Sequence, residues 1–201
     1  MNIIKVNRLI RTKKYLLFLS LIILFATVSQ IVWLKLNNAP PMMWDDAGYL
    51  ILSLNNYYTL VNDGILKFTQ VFTQMIFFHP PLFTVLPLPF YFIFGISTFS
   101  ALLTYTFFIV IFCTHLFLLT KELFNERVGL LAVAITSLFP LTYGLWRQFM
   151  LDFGLVTLIV CWFFYLLKSN KFQELKYIIP LGIIGGLGFL MKGTFFLILI
   201  G

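Results

Sequence analysis

An all-α, polytopic membrane protein is what this sequence predicts, and three observations carry the prediction. Of its residues, 61% are hydrophobic and only 10% charged, where a soluble domain is roughly half apolar and a quarter charged. The apolar residues gather into several runs of about the length that crosses a bilayer. The loop after the first run reads as two helices with opposed polar and apolar faces, which suits a membrane surface. The net charge of +7 is concentrated at one end: Lys5, Arg8, Arg11, Lys13 and Lys14 all precede the first apolar run. Such a cluster is a cytoplasmic flank under the positive-inside rule, so the expected partner is the lipid bilayer and not nucleic acid. The 25 Phe residues fit lipid-facing helices and interfacial anchoring.

The first span covers 15–36. It is too long for the apolar region of a signal peptide and has no clear small-residue cleavage site, so an uncleaved anchor with a cytoplasmic N terminus is expected. The loop at 37–79 follows, with Asp45, Asp46 and Asp63 against Lys67. At 100° per residue, Asp45, Asp46, Tyr49, Ser53 and Asn56 fall on one side of a helix, opposite Ala47, Leu50, Ile51, Leu54, Tyr57 and Tyr58. A second segment sets Lys67, Thr69, Gln70, Thr73 and Gln74 against Ile65, Phe68, Val71, Phe72, Met75 and Ile76. The spacing predicts two helices lying in the membrane plane with their polar sides to water, turned by Asn62-Asp63-Gly64.

His79-Pro80-Pro81 ends the second helix. The apolar stretch 82–94 could cross, but it is short and carries Pro87 and Pro89. Clearer runs follow at 99–119, 128–145, 153–167 and 177–191. The linker 121–127 is neutral overall, whereas 168–176 is basic and reads as cytoplasmic, which places Asp152 and Lys192 at the outer face. Counting forward with the proline-rich stretch as a full span puts Asp152 on the cytoplasmic side instead. The basic loop is the stronger signal, because two prolines are poor material for a short span. Cys113 and Cys161 lie inside apolar runs, with no disulfide or metal spacing, and read as packed thiols. Residues 1–201 read as one membrane domain, the N-terminal part of a longer protein, since the run from Gly193 stops before it could cross.

The chain has only seven Asp and Glu residues, and two of them adjoin in Trp44-Asp45-Asp46-Ala47-Gly48-Tyr49. A carboxylate at a membrane surface can act as general base toward a hydroxyl within hydrogen-bond reach. The alternative is helix capping, and one acid could serve each purpose. Adjacent acids could also hold a divalent metal. Asp152, beside Arg147 at the head of a span, is a functional candidate because ionisable groups at membrane depth are costly; the alternative is an ion pair. Lys192 follows Gly182, Gly185, Gly186 and Gly188, which permit close helix packing. It could meet a lipid phosphate or simply snorkel. His79 is the weakest candidate.

Taken in order, these motifs carry a resemblance. Trp44 to Tyr49 follows the first span and His79-Pro80-Pro81-Leu82 closes the loop. Arg147 with Asp152 heads a later span, and Gly186 to Gly193 ends in Met191-Lys192-Gly193. The set resembles the protein O-mannosyltransferase and aminoarabinose transferase superfamily, whose members are C-type membrane glycosyltransferases using lipid-phosphate sugars. That pattern opens with an acidic pair, usually Asp-Glu; here Asp46 stands where Glu is commoner, and Tyr49 is in its place. The resemblance implies a polyprenyl-phosphate sugar donor, a hydroxyl acceptor on a glycan, lipid or protein, and inversion at the anomeric carbon. It implies Asp45 as general base, with Asp46 also catalytic. Tyr49, His79, Arg147, Asp152 and Lys192 would bind donor phosphate or substrate, and a divalent metal could sit on Asp45, Asp46 and Asp152. The setting expected is a bacterial or archaeal plasma membrane with an extracytoplasmic site. Two rivals are a transporter or flippase for a lipid-linked substrate and a non-catalytic membrane subunit.

Overall fold

The computed structural model describes residues 3–37, 44–75 and 81–200, with side chains described from Lys13 to Ile198. Among the described residues the chain is helical, with no strand. α1 (Ile3–Asn37) leads to α2 (Trp44–Tyr58), a π-helical turn (Thr59–Asp63) and α3 (Gly64–Met75). Three short helices follow: α4 (Pro81–Val85), α5 (Leu88–Phe94) and α6 (Thr98–Leu102). The body is completed by α7 (Thr104–Leu123), α8 (Glu126–Leu138), α9 (Pro140–Leu145), α10 (Leu151–Lys168) and α11 (Leu175–Met191). A 3₁₀ turn (Gly193–Phe195) then enters α12 (Phe196–Ile200). Segments Lys13–Asn37, Thr98–Leu123 and Leu151–Lys168 are long and apolar enough to cross a membrane; the helices at Pro81–Phe94 and Leu175–Met191 are apolar but shorter.

Side-chain contacts fix the direction of each pass. At the early end of α1, the Tyr15 hydroxyl accepts from Arg127 Nε at 3.1 Å. Near its other end, Gln30 donates to the Trp146 carbonyl and Ser29 Oγ lies 3.5 Å from the Tyr143 hydroxyl. α8 and α9 therefore run parallel to α1. The Tyr105 hydroxyl, at the start of α7, donates to the Met150 carbonyl just before α10. At the far ends of the same two helices, Lys168 Nζ sits 3.1 Å from Glu122 Oε1. α7 and α10 thus run parallel, and α11 returns to bring Lys192 beside Asp152.

This geometry resolves the counting conflict. Phe83 of α4 stacks on Phe149 at 4.5 Å between ring centres. Tyr91 of α5 packs edge-on against Tyr57 of α2 at 5.8 Å, and α7 starts at the level of Met150. The chain stays on the side of α2 from α4 to the start of α7, so the proline-rich stretch 82–94 does not cross. The run 128–145 is not one helix either. Phe139 is extended (φ −69°, ψ 128°) ahead of Pro140, as a residue before proline prefers, so α8 stops there and α9 starts afresh on the proline. With a non-crossing 82–94, Asp45, Asp152 and Lys192 lie at one end of the bundle and Lys121, Lys168 and Lys176 at the other. Cysteines placed at Asn55 and Thr194, both exposed, should therefore react with an impermeant maleimide from one side of the membrane, and a cysteine at Lys171 only from the other. Labelling of Asn55 and Thr194 from opposite sides would refute this topology.

Aromatic rings make the core. Phe83, Tyr105, Trp146, Phe149 and Phe153 are almost fully buried and touch in sequence, Phe83 to Tyr105 at 6.5 Å, Tyr105 to Phe153 at 6.2 Å and Phe153 to Trp146 at 5.8 Å. Many phenylalanines thus pack inside rather than facing lipid, because offset and edge-on rings fill interhelical space well. Cys113 and Cys161 are buried free thiols, as expected; Cys113 Sγ lies 3.7 Å from Ser137 Oγ across α7 and α8.

The glycines of α11 behave differently from expectation. A Cβ on Gly182 or Gly186 would meet nothing within 4 Å, whereas one on Gly188 would lie 2.5 Å from the Phe195 ring. Gly188 thus allows the 3₁₀ turn after Lys192 to fold back onto α11. Gly188→Ala should lower stability by about 1–3 kcal/mol, the usual cost of overpacking, and shift the position of Lys192. Gly186→Ala is the control, and thermal unfolding in detergent reads both.

Candidate functional site

The acidic end of the bundle is built by α2, α10 and the end of α11. Asp45 and Asp46 lie in the first turn of α2, where the helix dipole favours negative charge. They point to different environments: Asp45 is exposed, while Asp46 is only 3% exposed. Asp46 Oδ1 accepts a 2.8 Å hydrogen bond from the backbone N–H of Phe149. That bond ties the start of α2 to the segment that positions Asp152.

The face of α2 carrying Asp46, Ser53 and Asn56 is buried and packs on the protein, not on water. Asn56 Nδ2 donates to Thr84 Oγ1 at 2.9 Å, and the large hydrophobic residues Trp44, Ile51 and Tyr58 are exposed. The expectation of a water-facing polar side fails for a physical reason. A wheel identifies two faces but not what covers each, and here α4 and α5 supply polar and aromatic partners to the polar one. α3 is the better match to expectation, with Thr69, Gln70 and Thr73 exposed and Met75 buried.

Tyr49 sits one turn after Asp45, half-buried, with its ring edge-on to Phe83 at 5.6 Å. Burial raises its pKa above the ordinary value of 10.0, and the negative charges of Asp45 and Asp152 raise it further. Tyr49 therefore feels the charge of two carboxylates, one from α2 and one from α10. Asp152 Oδ1 lies 3.9 Å from Lys192 Nζ, with both side chains more than two-fifths exposed. Such a loose, hydrated pair contributes little to stability and leaves both groups able to turn to a ligand. Asp46 and Asp152 also bear electrostatically on Tyr105, buried beneath.

Arg147 is elsewhere than expected. Among the described residues it makes no ion pair with Asp152; its guanidinium lies 3.4 Å from the Tyr143 ring centre and 4.5 Å from that of Trp33. Tyr143 and Arg147 are one helical turn apart, a spacing visible in the sequence; the contribution of Trp33 from α1 is not. Nor does any residue type flag the Phe149 N–H as the partner of Asp46, since every non-proline residue has that donor. Among the described residues no three His, Cys, Asp or Glu side chains come together as a metal site. Asp46, turned inward to the Phe149 N–H, does not join Asp45 and Asp152 as a ligand set. His79 lies outside the described residues.

In chemical terms this end of the molecule offers an exposed carboxylate, a neutral phenol, a second carboxylate and two cations at a membrane surface. Such a set can take a proton from a hydroxyl and neutralise a departing anion. Two comparisons give no relative, since no curated protein and no solved structure matches the chain. The family model described as dolichyl-phosphate-mannose-protein mannosyltransferase matches residues 78–201, a stretch that holds Arg147, Asp152 and Lys192 and begins after Asp45, Asp46 and Tyr49. With more than half of its length matched, the chain belongs to this family, a family of membrane glycosyltransferases of the mannosyltransferase type.

Proposed function

We propose that the protein transfers a sugar from a polyprenyl-phosphate carrier to an acceptor hydroxyl on the extracytoplasmic side of the membrane. The observation that carries this reading is the ion pair of Asp152 with Lys192, with the charges of Asp45 and Asp152 both acting on Tyr49. These are groups from three helices far apart in sequence. Asp45, the exposed acid, is the general base. It takes the acceptor's proton as the acceptor oxygen bonds to the anomeric carbon. The bond from that carbon to the phosphate oxygen breaks, its electron pair leaves with the lipid phosphate, and the configuration inverts. Lys192 and Arg147 offset the phosphate charge, Asp152 holds Lys192 in place, and Asp46 keeps α2 against the Phe149 segment. The bases at the opposite end of the bundle support an N-terminus-in orientation.

The test is transfer from a radiolabelled polyprenyl-phosphate sugar to membrane acceptors by the protein in its native membrane. Label that reaches an acceptor supports the reading. Label that crosses the bilayer still attached to its lipid would replace it with a flippase.

Tyr49 gives a pH signature. Its raised pKa keeps the phenol neutral through the physiological range. The stability tied to that neutral form is fully present below pH 10 and lost as pH rises through the elevated value. A transfer–pH profile should therefore show no Tyr49-dependent fall below pH 10, with the wild-type and Tyr49→Phe profiles parallel up to there. An alkaline limb near pH 8 that vanishes in Tyr49→Phe would contradict this.

A further inference from the structure

We infer that the cavity between the early part of α1 and the start of α8 binds the headgroup of an anionic phospholipid. The lipid belongs to the leaflet at the N-terminal end of α1, the cytoplasmic one in the orientation proposed above. It is a component of the bilayer and not the sugar carrier, and its binding does not depend on the transfer reading. The cavity has a volume of 520 Å³ and is lined by Lys14, Tyr15 and Phe18 of α1 and by Arg127, Leu130 and Leu131 of α8. Lys14 and Arg127, both exposed, supply its charge. Phe18 and Leu131, 43% and 59% exposed, supply an apolar wall. Arg127 Nε donates to the Tyr15 hydroxyl at 3.1 Å, which orients the guanidinium and leaves its two terminal nitrogens for a ligand. Lys14 Nζ lies 5.8 Å from the Phe18 ring centre. The N-terminal N–H groups of α8 are not part of the site, since the Asn125 side chain caps those of Arg127 and Val128.

Charge balance separates this cavity from the rest of the same end of the bundle. Lys121, Lys168 and Lys176 lie 2.9, 3.1 and 3.5 Å from carboxylate oxygens of Glu126, Glu122 and Glu174. A second cavity there has Lys168 and Lys176 in its lining together with Glu122 and Glu174, so its charges cancel. Among the described residues, neither Lys14 nor Arg127 pairs with an acid, and no acid lines their cavity. The N-terminal segment cannot bring one, because no Asp or Glu precedes Asp45. Glu126, beside Arg127 in the chain, is engaged by Lys121. Two unbalanced cations above an apolar wall complement a phosphate carried on an acyl chain. A zwitterionic headgroup offers the same phosphate but sets an ammonium beside Lys14 and Arg127, where like charges repel. Inorganic phosphate would meet the cations and leave the wall of Phe18 and Leu131 bare.

The test uses the full chain in phosphatidylcholine nanodiscs, with a trace of phosphatidylglycerol bearing a diazirine near its headgroup as probe. Photolabel should map to 14–18 and 127–131. Untagged phosphatidylglycerol should compete it away, and added phosphatidylethanolamine should not. Labelling should fall about ten-fold when Lys14→Gln and Arg127→Gln are combined, the order expected for two interfacial cations. Both side chains are exposed, so the variant should unfold at the wild-type temperature. Arg127→Lys should recover only part of the labelling, because an ammonium lacks the guanidinium fork. Lys168→Gln with Lys176→Gln removes two cations from the same end and should leave the labelling unchanged, which separates a site from a general basic surface. Four results would overturn the inference. They are full labelling of the Lys14→Gln, Arg127→Gln protein, equal competition by phosphatidylethanolamine, displacement of the probe by inorganic phosphate, and an equal loss of label in the Lys168→Gln, Lys176→Gln protein.

Discussion

Asp45→Asn should abolish sugar transfer, with a fall of about 10²–10⁴-fold in kcat, the range a positioned general base contributes. The protein should still insert and unfold as the wild type does. Asp45 is exposed and no packing depends on it, so the amide removes the proton acceptor and little else. KM for the lipid donor should change by less than a factor of a few, because a base that acts on the acceptor binds ground state and transition state differently. Transfer within a factor of two of wild type, with equal protein in the membrane, would remove Asp45 from the mechanism.

Asp46→Ala should have the opposite profile: loss of folded protein ahead of loss of chemistry. Asp46 is 3% exposed, and its carboxylate accepts from the Phe149 N–H at 2.8 Å. Deleting it leaves that backbone donor buried and unpaired, at a cost of about 1–3 kcal/mol. Asp46→Asn keeps a carbonyl oxygen in nearly the same place and should recover most of that loss. Thermal unfolding in detergent would order the three proteins wild type, Asn, Ala. Transfer per folded molecule should remain measurable in Asp46→Asn, whereas Asp45→Asn stays inactive. If the two asparagine variants behave alike, the acids do not divide their work as the structure implies.

The difference between these two neighbours marks the limit of what could be read from residue types. Their rarity in an apolar chain singled out the pair, and helical phase put both on one face of α2. Which acid faces inward depends on α4, α5 and the Phe149 segment, and nothing local to Trp44–Tyr49 encodes those. The long passes were legible because apolar length is a one-dimensional property: α1, α7, α10 and α11 fall where the runs are. The break at Pro140 and the failure of 82–94 to cross were less so. Both depend on whether a proline-bearing helix finds tertiary partners, as Phe83 does on Phe149 and Tyr91 on Tyr57. Asp152 and Lys192 were placed at one face by the basic loop, and the structure brings them together. Arg147 was expected beside Asp152 by nearness in sequence, yet it turns to the rings of Tyr143 and Trp33.

The hydrogen bond from Phe149 to Asp46 joins residues 103 positions apart, and this bears on biogenesis. A chain made from its N terminus presents α2 to the membrane long before the residues that clasp it exist. In that interval Asp46 has no Phe149 N–H to meet, and the polar face of α2 is open to water or lipid headgroups. Both acids can act on Tyr49 only once α10 has been threaded in. Assembly of the acidic end is therefore a late event, and a nascent chain released before residue 149 would hold its carboxylates in the membrane without a pocket around them.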